Sequence, residues 1–146
     1  MQTLRQFVSG TDFSACADYA LELAIRLASA VAARVAVVHV CELDADEERV
    51  RACSEALSKV VAKHEHSHVE VSGILRRGIP WKKLDNVAVE LGASLIVVGR
   101  HGAGRAQNSE LGSVAEQLTR SAHRSVLTVA CDFECLVIGA NATERP

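Results

Sequence analysis

Apolar positions along the chain come as short unbroken runs separated by stripes spaced three and four residues apart. Leu4–Gly10 reads as a first strand, interrupted by Arg5 and Gln6. Gly10-Thr11-Asp12-Phe13-Ser14 is a turn, with Ser14 placed to cap a helix. Ala17, Ala20, Leu21, Ala24, Leu27, Ala28 and Val31 share one face of that helix, which ends at Ala32-Ala33. Arg34–Cys41 holds Val35, Val37, Val38 and Val40, the mark of a central parallel strand buried on both faces. The acidic stretch Glu42–Glu48 serves as a loop and as the first turn of a second helix, where negative charge suits the helix dipole. Val50, Cys53, Leu57, Val60 and Val61 form that helix's apolar face. A third strand, near an edge, is expected over Val69–Leu75, with Val69, Val71 and Ile74 apolar. Arg76-Arg77-Gly78-Ile79-Pro80 is a turn, and Pro80 suits the first position of a third helix. Leu84, Val87, Ala88 and Leu91 form that helix's face and Gly92 stops it. Leu95–Val98 is a fourth strand. A glycine-punctuated loop, a helix from Val114 to Ala122 and a fifth strand over Ser125–Val129 follow. Cys135–Gly139 is one more short apolar run, and the last residues read as frayed.

Strands alternate with helices, which implies an α/β fold: one doubly wound, mostly parallel sheet with helices on both faces. Residues 1–146 form a single domain, with 130–146 a C-terminal extension. The 146 residues suffice for one core. Ala and Val supply much of the 49% hydrophobic content and aromatics only 3%, which suits close packing of helices on a sheet. A formal net charge of -2 argues against nucleic acid and against an acidic membrane surface as partners. No apolar run reaches the length of a membrane span. Met1–Gln6 is polar and lacks a signal-peptide core, so a cytoplasmic location is expected. Five cysteines without a C-x-x-C suggest neither a disulfide framework nor a zinc ribbon. Cys16, Cys41 and Cys53 are expected as buried reduced thiols, while Cys131 and Cys135 lie close enough in sequence to oxidise.

The chemistry concentrates in the stretch from Val98 to Glu116. Gly99, Gly102 and Gly104 permit positive φ and let another backbone or a ligand come close. Ser113 and Glu116 have the spacing of a capping box at the start of a helix. Free amides of Gly112, Ser113 and Val114 at that helix N-terminus would favour an anion. The stretch reads as a phosphate cradle, with an ordinary glycine-rich loop around a solvated turn as the alternative. His64, His66 and His68 alternate and would share a face if extended. No other ligand cluster accompanies them, and no metal site is assigned.

Four motifs, in order, resemble the universal stress protein family. Gly99-x2-Gly102-x9-Gly112-Ser113 matches its G-x2-G-x9-G-[ST] nucleotide motif. Thr11-Asp12-Phe13-Ser14 is similar to its turn after the first strand. Val38-His39-Val40 resembles the end of its second strand, and Gly78-Ile79-Pro80 its turn before the third helix. Leu111–Glu116 is nearly its usual run there, and the likeness covers Leu4 to about Val129. The resemblance implies a five-stranded sheet in order 3-2-1-4-5, with the ligand between strands one and four. It implies that Thr11, Asp12 and Val40 meet adenine and ribose, and that Gly99, Gly102, Gly112, Ser113 and Val114 hold phosphates. Gly10, Val98, Arg100, His101 and Gly104 complete the candidate contact set. The implied ligand is ATP, or AMP or another adenine nucleotide, with Mg as a possible companion.

Three functions compete on this reading. The first is an adenine-nucleotide-binding stress sensor or switch with little catalysis. The second is a dimeric adaptor that binds no nucleotide, and the third an adenine-nucleotide hydrolase. Only Arg100 and His101 offer a cation or base near an α-phosphate, and no P-loop Gly-Lys-Ser/Thr occurs, so no catalytic residue is assigned. The sensor ranks first. A homodimer is expected through the fifth strand, whose Val126-Leu127-Thr128-Val129 edge carries no proline or lysine to blunt it.

Overall fold

The structure, a computed structural model, describes residues 5–101 and 111–130. Its elements are β1 (Gln6–Gly10), α1 (Ala15–Val31), β2 (Arg34–Cys41), α2 (Glu47–Ala62), β3 (Val71–Arg77), α3 (Pro80–Glu90), β4 (Leu95–Gly99), α4 (Ser113–Ser121) and β5 (Ser125–Val129). The five strands form one sheet in order β3-β2-β1-β4-β5, every neighbouring pair parallel. Most of the extension expected over 130–146, with its apolar run from Cys135, lies outside the described residues, as do Gly102 and Gly104.

Side chains alternate between the two faces of each strand, so each face builds its own core. Phe7, Val35 and Val37 meet Leu21 and Ala28 of α1 and Leu57 and Val60 of α2. Val8, Val38, Ile96 and Val98 meet Leu84, Val87 and Ala88 of α3 and Ala115 and Leu118 of α4. β2 is buried along nearly its whole length, as its unbroken valines require.

Local signals explain most boundaries. Ser14 caps α1, its hydroxyl accepting from the Ala17 amide at 3.2 Å. Asp46 does the same for α2 through the Arg49 amide at 2.8 Å. Pro80 occupies the first turn of α3, and Gly92, at φ +62°, follows its last turn. β3 departs from expectation. It starts at Val71 and runs through Arg77, because Arg76 and Arg77 continue the ladder opposite Val40 and Cys41. Val69 is buried just ahead of it. On α1, Leu27 and Val31 are exposed rather than core. Leu27 sits at the margin of the stripe and Val31 in the last turn.

Cys41 and Cys53 are free buried thiols, as expected. Cys16 is not: it is disulfide-bonded, with its partner outside the described residues. The reason is positional. Cys16 packs against Gly99, and Gly99 pairs with Val129, where the chain leaves the sheet.

One polar contact made by a buried carboxylate ties the second layer together. Asp85 sits on the buried face of α3 at 5% exposure. Its carboxylate accepts from the His123 backbone amide at 2.9 Å and meets His123 Nδ1 at 2.7 Å. This pins α3 to the connection between α4 and β5. Asp85→Ala strands the His123 amide, and a lost buried partner costs about 1–3 kcal/mol. At about 2–4 °C per kcal/mol for a chain of this size, the melting temperature falls by roughly 2–12 °C in a thermal scan. Asp85→Asn, which keeps an acceptor, recovers part of that fall.

Candidate functional site

In a parallel sheet the crevice opens at the carboxyl ends of the strands where the order reverses, here between β1 and β4. A cavity of about 300 Å³ lies there, at the lower end of the size range of small-molecule sites. Ten of the candidate residues line it: Gly10, Thr11, Asp12, Val40, Val98, Gly99, His101, Gly112, Ser113 and Val114. They come from four separate stretches of chain and meet only through the strand order. Gly102 and Gly104 fall outside the described residues.

The floor follows from the turn after β1. The Thr11 amide donates to the Val38 carbonyl at 2.9 Å, carrying the β1–β2 ladder one residue further. Thr11 Oγ1 accepts from the Phe13 amide at 3.0 Å, and Asp12 Oδ1 from the Ser14 amide at 3.0 Å. These two side-chain bonds set the direction of the loop. They also hold Phe13 at φ +66°, a left-handed conformation a phenylalanine rarely adopts. Asp12 is thereby presented at the cavity wall from a fixed backbone.

The far wall is the start of α4, and here two expectations fail. Ser113 does not cap the helix. Gly112 is the cap residue, at φ -64° and ψ 160°, and Ser113 is the first helical residue. The S-x-x-E pattern fits either register; the extended backbone at Gly112 decides it. The second correction concerns the donors. The Gly112 amide is already spent on the Arg100 carbonyl at 2.8 Å. The helix has no side-chain cap, so its donors toward the cavity are the first-turn amides beyond Gly112.

Arg100 does not line the cavity. Its backbone is a strut instead: its amide donates to the Val129 carbonyl at 2.8 Å, while its carbonyl holds Gly112. Gly99 serves close packing rather than a positive φ. A β-carbon there would lie 2.9 Å from Cys16 Sγ and 3.3 Å from the Cys16 carbonyl carbon and oxygen. The first turn of α1 thus rests directly on the end of β4. Gly10 is similar, with Leu84 Cδ1 2.9 Å from a β-carbon built on it.

The sequence reading missed six further lining residues: Ala17, Val38, His39, Pro80, Leu84 and Ala115. Val38 and Leu84 were legible only as core. They are core, and they close the apolar end of the cavity. His39 carries a signal that was available, a lone histidine inside a run of valines. It is 7% exposed, and its Nδ1 lies 2.8 Å from the Thr11 carbonyl oxygen.

The structure is similar to the universal stress protein UspA from Lactobacillus plantarum, with a TM-score of 0.77 and 17% identity, over 88% of this chain and 99% of that one. It is similar to a universal stress protein in complex with cAMP, with a TM-score of 0.72 and 22% identity, over 88% of this chain and 98% of that one. A universal stress protein from Archaeoglobus fulgidus in complex with dAMP gives a TM-score of 0.71 and 24% identity, again over 88% and 98%. No curated protein matches the sequence. The sequence model of the universal stress protein family matches residues 3–130, everything from β1 through β5, and the chain belongs to that family.

Proposed function

We propose that the protein is an adenine-nucleotide-binding sensor or switch of the cytoplasm, with little or no catalysis. One observation carries the reading. Thr11, Asp12, Val40, Gly99, Gly112, Ser113 and Val114, distant in sequence, line one cavity at the point where the strand order reverses. Apolar Val38, Val40, Leu84 and Val98 suit a base, Asp12 suits the ribose hydroxyls, and the first turn of α4 suits phosphate. Solved proteins of similar fold are described as complexes with cAMP and with dAMP, which supports an adenine ligand here. The intact Gly99-x2-Gly102-x9-Gly112-Ser113 spacing favours ATP, with Mg at its phosphates, over a nucleotide with one phosphate.

The test is Asp12→Ala, titrated with adenosine and with Mg-ATP. A carboxylate that accepts from ribose weakens both when removed, by about tenfold for a charged hydrogen bond of 1.5 kcal/mol or so. A loss confined to the triphosphate overturns the ribose assignment and moves Asp12 to a metal at the phosphates.

The reading includes a homodimer through β5. Among the described residues that strand is the sheet edge beside β4, and Val126, Leu127 and Thr128 are partly exposed. A second copy paired about a two-fold axis would cover them. Light scattering at micromolar concentration is expected to give twice the chain mass of 15.6 kDa. A monomeric mass overturns the dimer.

A further inference from the structure

We propose that His39 and Cys41 of β2 and Cys53 of α2 form a binding site for a soft, thiophilic metal ion of the copper(I) class. Residues two apart on a strand share a face, so His39 and Cys41 both turn toward the layer that α2 occupies. Cys53 lies on the buried face of α2 and comes down onto them. The ligand atoms of the three residues lie within 4.8 Å of one another. All three are buried: Cys41 at 1%, Cys53 at 2% and His39 at 7% exposure.

The imidazole is the second, independent observation. A carbonyl oxygen can only accept, so the 2.8 Å contact with Thr11 places the proton on Nδ1. Nε2 then carries a bare lone pair. It is buried and, among the described residues, has no hydrogen-bond partner. Buried polar atoms are rarely left so, and each exception asks for an explanation. An imidazole oriented by N–H donation to a backbone carbonyl, with its other nitrogen bare, is the form in which histidine ligates metal. Buried cysteines alone would need no ligand, since cysteine packs as a small apolar group. Two of them beside an unpaired imidazole nitrogen are a donor set.

Two sulfurs and one nitrogen select a soft ion. Among the described residues, no fourth ligand-type side chain joins the cluster. Zinc takes four ligands in closed structural sites, so three buried donors favour a trigonal monovalent ion. Both cysteines are free rather than disulfide-bonded, so each offers a sulfur to a metal. Binding forms two metal–sulfur bonds and one metal–nitrogen bond and releases the two thiol protons to solvent, with no change of oxidation state. The cluster also adjoins the proposed nucleotide cavity, since His39 lines it and its Nδ1 donates to the Thr11 carbonyl.

The test uses the full chain, reduced and kept free of oxygen, titrated with copper(I) against a competing colorimetric chelator such as bicinchoninate. One copper per chain is expected, with X-ray absorption reporting two sulfur neighbours and one nitrogen. Cys41→Ala/Cys53→Ala should lose that copper. Cys131→Ser/Cys135→Ser should keep it. His39→Gln should weaken binding by about tenfold or more and lose the nitrogen signal. Unchanged copper uptake in Cys41→Ala/Cys53→Ala overturns the proposal, and so does a wild-type spectrum with sulfur neighbours alone. A four-coordinate zinc complex that copper(I) fails to displace overturns the choice of ion. The wild-type spectrum decides even where a variant fails to fold.

Discussion

Gly112→Val is expected to abolish nucleotide binding while the domain stays folded. Gly112 sits at φ -64° and ψ 160°, an extended conformation that valine adopts without strain. Its amide bond to the Arg100 carbonyl, 2.8 Å, does not depend on the side chain. The residue is buried, however, and it lines the cavity directly ahead of the first-turn amides of α4. A branched side chain there takes the space proposed for phosphate. The loss should reach about a hundredfold in affinity, or roughly 2.7 kcal/mol. Replacing a glycine cap with valine should lower stability by about 1 kcal/mol, a few degrees in a thermal scan. Calorimetric titration of the variant with Mg-ATP, beside its melting curve, reads both effects. Normal binding by a folded variant would show that phosphate sits elsewhere.

Leu118→Ala should have the largest effect on stability. Leu118 is fully buried and joins Ile96 and Val98 of β4 to α3 and α4. It and Ala115 are the only fully buried apolar residues of α4, a helix nine residues long. Truncating a buried leucine costs about 2–5 kcal/mol. The melting temperature should fall by roughly 4–20 °C. Because α4 carries one wall of the cavity, a nucleotide bound there, as proposed, should restore part of the loss. A nucleotide at a hundred times its dissociation constant contributes about 2.7 kcal/mol to the folded state. A fall under about 2 °C in the absence of ligand would mean that α4 is held by something other than Leu118.

Some elements were legible because their cause is local. The unbroken valines of β2 identify a central strand, Ser14 identifies the start of α1, and Pro80 and Gly92 bracket α3. The order of the strands is different in kind. Alternating strands and helices imply a parallel sheet but fix no neighbour, and the order 3-2-1-4-5 came from the family resemblance. Most of the candidate site followed once that order placed β1 beside β4.

What escaped the sequence was set by contacts between distant residues. Asp85 breaks the apolar stripe of α3, and its reason, His123, lies 38 positions away. Arg100 reads as a cation for phosphate, but its backbone role depends on the ends of β4 and β5 meeting. Arg76 and Arg77 look like a turn until β2 offers them Val40 and Cys41 as ladder partners. Ser113 and Gly112 differ by one register step that the S-x-x-E pattern does not resolve. His39 and Cys53 belong to different elements, so no spacing rule joins them.

The most direct test of the central claim is calorimetric titration of the wild-type chain, stripped of copurified nucleotide, with ATP and AMP in the presence of Mg. Saturable heat at one site per chain, lost in Gly112→Val, is the predicted result. Absence of saturable heat with either nucleotide, from a folded protein that also releases none when denatured after purification, would contradict it.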